Sequence, residues 1–355
     1  MSRARPAPAA WRWLAGLAVV ALLAGCGRTA EEQETRHRFT AMGTLVDVTI
    51  WDAEPLAAEA AAREVEALFH ALHREWDPWG DGALGRLNRA LAAGEPAVAD
   101  PDLAALLAEA AVLTEASGGL FDPAIGALVR LWGFSSDEHR PTAPPPAEEI
   151  AARLAATVPL PALLGRDDTV SGPRGAQVDL GGFLKGVAVD RGIALLRERG
   201  IEHAIVNAGG DLRAIGRRGE RAWRIGIRAP RDPGIIAALE VQGDDAVFTS
   251  GDYERFFDHQ GRHYHHILDP RSGYPTEGIG SVTVLHANAG LADAAATSLL
   301  VAGPAEWPAM ARALGVEAVM VVLSDGTVEL TPAMEPRVWF TSEAHGARAR
   351  VRELP

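Results

Sequence analysis

Strand-like and helix-like segments follow one another without strict alternation along this chain. Residues 45–51 alternate apolar and polar side chains, as in a half-buried strand, and residues 55–76 repeat apolar side chains at helical spacing. Further helices are expected over 101–117, 147–156, 185–199 and 289–301, and further strands over 178–180, 204–206, 223–228, 237–242, 246–249, 262–268 and 281–285. A doubly wound parallel sheet requires regular alternation. The order therefore predicts an α+β fold of mixed sheets with packed helices.

The first residues are typical of a bacterial export signal. Several arginines precede an apolar run over residues 13–24, which is shorter than the about 20 residues of a membrane-spanning helix. The run ends in the sequence LAGC, which resembles a lipobox, and its Cys26 is the only cysteine of the chain. We therefore expect lipidation of Cys26, with an ordinary signal peptide and a chance cysteine as the alternative.

The lipid on Cys26 would tether the mature chain to a membrane of the bacterial cell envelope, facing the periplasm. Gly27 in place of an aspartate favours the outer membrane by analogy, and the inner membrane stays open. The expected organisation is a signal peptide over 1–25, a flexible tether over 26–38, one large domain over 39–345 and a C-terminal tail over 346–355.

The composition limits the partners of this domain. The formal net charge is -13, and no basic stripe is present, so a nucleic-acid partner is not expected. A polyanionic ligand such as a dinucleotide would need a local cation.

A first glycine-containing segment, VDLGGFLKG over residues 178–186, is suited to phosphates. Asp179 ends an apolar stretch, Gly181 and Gly182 allow close approach of the backbone, and Lys185 brings a point charge to a helix start. The spacing matches neither the Walker loop nor the dinucleotide-binding fingerprint. A plain tight turn is the alternative.

A second segment places Asn207, Gly209, Gly210 and Asp211 after an apolar strand. Such a loop could lie against a bulky ring or a ribose. The alternative is a turn in which the two polar side chains bond local backbone groups.

A third segment is suited to a divalent cation. Asp293 and Thr297 are four residues apart on an expected helix and share one face. Carboxylate and hydroxyl oxygens suit Mg²⁺, which keeps other positions for water and phosphate. The alternative is an N-cap aspartate with an exposed or back-bonded threonine.

The histidine cluster HYHH over residues 263–266 suggests zinc at first. Strand alternation, however, sends neighbouring side chains to opposite faces, and no HExxH helix or cysteine accompanies them. A single histidine acting as a proton acceptor is the simpler interpretation.

Taken in order, these segments resemble the ApbE family, the FAD:protein FMN transferases. The resemblance runs from residue 41 to about residue 303. It is carried by AMGT (41–44), RLN (86–88), GLFDPAIG (119–126), LWGF (131–134), DLGG with KG and Asp190, NAGGD (207–211), HILDP (266–270) and DAAAT (293–297).

The resemblance implies an ApbE-like flavin transferase fold, with an FAD cleft between two lobes, FAD as substrate and Mg²⁺ as cofactor. The positions matching FAD contacts are Met42, Leu120, Phe121, Asp122, Asp179, Lys185 and Leu268. Those expected to line the flavin cleft are Asn207, Gly209, Gly210 and Asp211.

The resemblance also implies a metal site and a catalytic group. Mg²⁺ would be held by the Gly182 carbonyl, Asp293 and Thr297. His266 matches a histidine that assists the acceptor hydroxyl, and with Lys185 and Asp293 completes the expected catalytic set.

Two positions depart from the family pattern. The usual aromatic that stacks on the flavin is replaced by the stretch WDPWGDG over 76–82, which leaves Trp76 and Trp79 as candidates, with Trp79 taken as the binding residue. Leu184 stands where a small residue is usual.

The activity implied is transfer of FMN from FAD to a threonine or serine hydroxyl of an acceptor, with release of AMP. The expected acceptor carries an FMN-binding domain, as in a subunit of a membrane redox complex. The alternatives are an FAD diphosphatase that releases FMN and AMP, and a non-catalytic flavin-binding lipoprotein.

Overall fold

A nine-stranded sheet forms the centre of the computed structural model, which describes residues 34–135, 141–241 and 243–355. Cys26 and the expected signal peptide lie outside the described residues. The strands in chain order are β1 (Glu34–Ala41), β2 (Thr44–Trp51), β3 (Ala97–Val98), β4 (Thr169–Val170), β5 (Ala204–Ala208), β6 (Asp211–Gly216), β7 (Trp223–Arg228), β8 (Ile235–Val241), β9 (Gly243–Gly251), β10 (Phe256–His259), β11 (Arg262–His265), β12 (Ile279–His286), β13 (Ala318–Leu323), β14 (Val328–Leu330), β15 (Val338–Phe340) and β16 (Ala349–Val351).

Two helices in this part of the chain have N-cap residues that are clear from the sequence. Glu54 and Asp100 each accept a bond from a first-turn amide, and a proline follows each of them. The helices are α1 (Pro55–Trp76), α2 (Ala83–Ala93), α3 (Pro101–Ala116), α4 (Gly126–Leu131), α5 (Ala147–Ala155), α6 (Leu160–Leu163), α7 (Leu184–Glu198), α8 (Ala289–Ala313) and α9 (Glu343–Gly346).

The strand order of the large sheet is β1-β2-β5-β6-β9-β12-β13-β14-β16. All neighbours pair antiparallel except β14 and β16, which are parallel. A mixed sheet with packed helices confirms the α+β prediction. None of the helices in the described residues is long and apolar enough to cross a membrane.

The large sheet has a separate apolar core on each face. In β9, Ala246 and Phe248 point into the core shared with α1, α7 and α8, while Val247 points into the core shared with the β15-β8-β7 sheet. This alternation follows from the two-residue period of a strand. Complete burial of a side chain such as Phe248 stabilises the fold by about 1.5–3 kcal/mol.

A third, smaller core is mainly aromatic. It joins the β10-β11 hairpin to α4 and α5, and the indole nitrogen of Trp132 donates to the Gly273 carbonyl at 2.8 Å. Leu268 is buried in this cluster, which is formed by Leu128, Trp132, Phe134, Ile150, Phe257, Tyr264 and Leu268. The cluster fixes the chain on both sides of the histidine segment.

The helices expected over 55–76 and 101–117 are confirmed to within one residue. The strand expected over 178–180 is wrong, because Val178 bonds the Asn88 side chain through both its amide and its carbonyl. The Asp179 amide donates to the Pro123 carbonyl at 2.8 Å, so the segment does not pair with a neighbouring strand. The strand expected over 262–268 ends at His265, where the chain leaves the hairpin.

The expected ends of the domain are also corrected. Residues 34–38, placed in the flexible tether, belong to β1 and pair along its whole length with β2. The expected tail over 346–355 contains β16, where Arg350 pairs with the buried Glu329. Both segments gain order by completing an edge of the large sheet.

Candidate active site

Helices α7 and α8 approach each other very closely at Gly186. A Cβ atom added there would lie 2.2 Å from the Ala289 carbonyl oxygen, so only glycine fits without movement. The close approach lets the Gly186 amide donate to Oδ2 of Asp293 at 3.0 Å. This contact holds residues 181–186, which contain the glycine turn and Lys185, next to Asp293 on α8.

A buried network of charges surrounds this contact. Lys185 forms an ion pair with Asp211, whose other oxygen accepts a bond from the Thr249 amide at 2.8 Å. Burial lowers the pKa of Lys185, but the carboxylates of Asp211 and Asp293 outweigh it and raise that pKa. The ammonium group is therefore held in its charged form.

Burial raises the pKa of Asp293 to about 7, with the Lys185 ammonium opposing the rise and Asp211 adding to it. This buried carboxyl group therefore holds its proton more tightly than an exposed aspartate does. A cation bound against it would favour the ionised form.

Thr297 lies one turn further along α8, next to Gly182. A Cβ atom at Gly182 would stand 3.4 Å from Oγ1 of Thr297, and that hydroxyl is 3.0 Å from Oγ of Ser250. The three expected metal-binding positions, Gly182, Asp293 and Thr297, are therefore brought to one region. No cluster of three His, Cys, Asp or Glu side chains suited to a metal occurs in the described chain.

Asn88 positions the segment that ends at Asp179. It is buried, its amide donates to the carbonyls of Val178 at 2.8 Å and Pro78 at 3.2 Å, and its oxygen accepts from the Val178 amide at 2.8 Å. Asp179 accepts a bond from Gly181 at 2.8 Å. Burial raises the pKa of Asp179, opposed by that bond.

The two tryptophan candidates differ in accessibility. Trp76 is 1% exposed within the main core and cannot reach a ligand without unfolding. Trp79 is partly exposed, and its turn is joined to the Asp179 segment through the two Asn88 bonds. Of the two candidates, Trp79 is therefore the accessible one.

The Asn207–Asp211 turn packs against the β1-β2 hairpin. Oδ1 of Asn207 accepts from the Gly210 amide at 2.8 Å, so the local-turn alternative describes this side chain. Gly209 has a φ of 71°, and a Cβ atom there would lie 2.2 Å from Oγ1 of Thr44. This places Met42, at the hairpin tip, beside the turn.

Leu120, Phe121 and Asp122 form a buried bend before α4. Phe121 approaches the Gly182 turn, with Cε2 3.6 Å from the Cβ position of that glycine. The Asp122 carboxylate accepts from the amides of Ala124 at 2.9 Å and Leu160 at 3.1 Å. Burial raises the pKa of Asp122. The aspartate thus holds the bend, and Phe121 faces the site.

The histidines of the cluster have separate environments. His263 bonds Asp258 and the Asp252 carbonyl, both at 2.9 Å, and His265 donates to the Thr276 carbonyl at 2.8 Å. His266 alone has a buried Nδ1 without a hydrogen-bond partner in the described chain. Burial, followed by nearby cations including Lys185, lowers the pKa of His266 well below its usual value, so its ring is neutral.

Two neighbours of the site were not predicted from the sequence. Ser250 is the last residue but one of β9 and lies beside Thr297, and Arg255 precedes β10 next to His266. The alternating pattern that predicts β9 does not distinguish Ser250, or the charged turn that contains Arg255, from ordinary surface residues. The only indication of the site in this part of the sequence is the pair of neighbouring hydroxyl residues Thr249 and Ser250 near the end of the strand.

The comparisons with known proteins cover the segments that form this site. The ApbE family profile matches residues 42–320. The chain is 39% identical to the FAD:protein FMN transferase of Rhodobacter capsulatus, covering 98% of this chain and 67% of the relative. It is 35% identical to the FAD:protein FMN transferase of Treponema pallidum, covering 92% and 95%.

Solved structures agree with this fold. The ApbE protein of Thermotoga maritima matches with a TM-score of 0.79 and 30% identity, covering 86% of this chain and 99% of that one. The flavin transferase ApbE of Vibrio cholerae matches with a TM-score of 0.75 and 29% identity over the same shares. The chain belongs to the ApbE family.

Proposed function

We propose that this chain transfers FMN from FAD to a threonine or serine hydroxyl of a target protein and releases AMP. The observation that carries the proposal is the meeting of Lys185, Asp293 and Thr297 at the Gly182 turn. A lysine, a glycine turn and hard oxygen donors together suit a diphosphate with a divalent cation. The relatives named as FAD:protein FMN transferases support FAD as the donor and a protein as the acceptor.

Gly182, Asp293 and Thr297 would hold Mg²⁺. The donor set fits this ion, because it offers a carboxylate, a hydroxyl and a backbone carbonyl, all of them oxygens. The raised pKa of Asp293 fits as well, since a buried carboxyl group is ionised more readily when a cation binds beside it. When bound, Mg²⁺ supplies neutralisation of phosphate charge.

The residues of the chain then position FAD. The Gly181-Gly182 turn admits the diphosphate close to the backbone, and Lys185 supplies a positive charge at the start of α7. Trp79 offers a face for the flavin ring, while Met42 and the Asn207–Asp211 turn bound it on another side. Catalysis comes mainly from this positioning and from charge neutralisation.

In the transfer step, the hydroxyl oxygen of the target forms a bond to the FMN phosphorus. The bond from that phosphorus to the bridging oxygen breaks, and AMP leaves with this oxygen. His266 accepts the hydroxyl proton. In the free protein burial, and after it the nearby cations, lower the pKa of His266 and disfavour its imidazolium form. A bound diphosphate would offset the charge of those cations and so raise this pKa.

Lipidation of Cys26 would hold the chain at a membrane of the cell envelope, where an FMN-binding domain of a membrane redox complex would be the acceptor. The lone cysteine at the end of the LAGC sequence supports this placement. Cells fed a tagged palmitate analogue would label the wild-type chain and not the Cys26→Ser variant. Equal labelling of both chains would contradict it.

The activity is tested with the full chain, FAD, MgCl₂ and an isolated FMN-binding acceptor domain. Intact-mass measurement of the acceptor is expected to show the addition of one FMN, and AMP is expected in the solution. An acceptor in which the target threonine is valine should gain no mass. Formation of AMP and free FMN without a gain in acceptor mass would identify an FAD diphosphatase instead.

A further inference from the structure

The side chains around the Gly182 turn carry too little unpaired positive charge to neutralise a bound diphosphate. Three carboxylates, Asp179, Asp211 and Asp293, lie in this region, and Lys185 already forms an ion pair with Asp211. FAD would add the negative charge of its two phosphates. A cation that is not already paired would offset part of this negative charge, in addition to any metal ion.

Arg255 is held at this place by two backbone contacts. Its own carbonyl accepts a bond from the His266 amide at 3.0 Å, and its Nη1 donates to the Phe134 carbonyl at 3.0 Å. Phe134 in turn lies edge-on to the His266 ring, with centroids 6.4 Å apart. The guanidinium is therefore anchored beside the histidine, with its remaining donors unused by these contacts.

The charge of Arg255 acts on both sides of the site. It lowers the pKa of Asp179 against the larger effect of burial, and it is the largest contribution after burial to the lowered pKa of His266. Arg255 is thus close enough to Asp179 and His266 for its charge to affect both.

Within the part of the chain that the structure describes, Arg255 differs from the arginines around it in having no carboxylate partner. Across residues 34–135, 141–241 and 243–355, no Asp or Glu oxygen lies within 4.0 Å of its guanidinium nitrogens. Nearby arginines are all paired: Arg262 with Glu277 at 2.9 Å, Arg228 with Glu254 at 3.6 Å, and Arg231 with Asp252 at 2.5 Å. An exposed, unpaired guanidinium is open to an anion.

We propose that Arg255 binds a phosphate oxygen of FAD and is a further phosphate-binding residue of the transfer reaction. The inference rests on the proposed function, since it takes FAD as the ligand. A guanidinium bonded to the diphosphate stabilises the charge that builds up as AMP leaves. It complements Lys185, whose charge is shared with Asp211.

The test compares ligands with and without phosphate. Binding of FAD, FMN and riboflavin is measured by flavin fluorescence in EDTA, where no turnover occurs, for the wild type, Arg255→Gln and Arg255→Lys. Arg262→Gln is the matched control, because Arg262 is an exposed arginine of the same hairpin. Loss of one charge-assisted bond should weaken FAD binding by about 10- to 100-fold and leave riboflavin binding unchanged.

Arg255→Lys should bind FAD with intermediate affinity, and kcat with Mg²⁺ should fall in the same order. The proposal is overturned if Arg255→Gln binds FAD as well as the wild type, or if riboflavin binding falls as much as FAD binding. If Arg255→Gln does not fold, wild-type affinity and kcat in Arg255→Lys would overturn it. If the wild type fails to attach flavin to an acceptor, the proposed function is contradicted. The comparison of FAD binding with riboflavin binding would still test the role of Arg255, because it does not depend on turnover.

Discussion

The amide of Gly186 donates a 3.0 Å hydrogen bond to Oδ2 of Asp293, and this bond joins the first turn of α7 to α8. It uses one carboxylate oxygen, and the other accepts no hydrogen bond from the described residues. Since Asp293 and Thr297 are one helical turn apart, the bond also sets the position of the hydroxyl relative to the Gly182 turn. The glycine is therefore both a packing residue and a support for the site.

Gly186→Ala should destabilise the protein and reduce turnover. The added Cβ would lie 2.2 Å from the Ala289 carbonyl oxygen, so the two helices must separate. Overpacking of this kind costs about 1–3 kcal/mol in the free energy of unfolding, measured in urea. Gly192→Ala on the same helix is the control, because its Cβ would meet side chains at 3.4 Å. An equal loss in both variants would argue against a specific helix contact.

Asp293→Asn should abolish turnover while the protein remains folded. The asparagine oxygen can still accept the Gly186 bond, but the negative charge that the proposed Mg²⁺ site needs is lost. We expect kcat to fall by about 100-fold or more, with FAD binding weakened but detectable by fluorescence. Thr297→Val should also lose activity, and Thr297→Ser should keep much of it. Wild-type turnover in Asp293→Asn would refute the assigned metal site.

Sequence patterns identified much of the site. The i, i+4 spacing of Asp293 and Thr297 correctly predicts a shared helix face, and the glycine turn before Lys185 correctly predicts a helix start. These features depend on local geometry, which a short stretch of sequence determines. The order of the motifs along the chain indicated the resemblance to the ApbE family.

Contacts between distant segments could not be predicted in this way. The partner of Lys185 depends on the register of β6 against β9, and Asn88 holds Val178 across 90 positions of sequence. The expected strand at 178–180 failed for this reason, since a side chain takes the bonds that a strand would need. The pairing of β16 with β14 is equally non-local.

Asn88→Ala should weaken both the fold and FAD binding. Removal of the amide leaves the amide and carbonyl of Val178 without partners in a buried place, which costs about 2–4 kcal/mol. The Trp79 turn also loses its link to the Asp179 segment, so the FAD dissociation constant should rise. Ala92→Asn, on the exposed side of α2, should change the free energy of unfolding by less than about 1 kcal/mol. Unchanged FAD affinity in Asn88→Ala would separate this residue from the site.

His265 should make the protein less stable in acid. Burial lowers the pKa of His265 from its ordinary value of 6.5, so its contribution to stability is present above that value and is lost as the pH falls through it. The loss approaches about 1.4 kcal/mol per pH unit in this window.

Urea unfolding of the wild type and His265→Leu from pH 8 to pH 5 tests this. The leucine variant should be less stable at pH 8, because two bonds are lost, and its stability should fall less steeply toward pH 5. Parallel curves would show that His265 does not carry the acid sensitivity.

The most direct test of the transferase account is the ratio of two products in one reaction. AMP in solution and flavin bound covalently to the acceptor are quantified together, from FAD, Mg²⁺, acceptor domain and the full chain. The account predicts one covalent flavin for each AMP released, and no AMP above background when the acceptor is omitted. AMP matched by free FMN, with an unmodified acceptor, would contradict it.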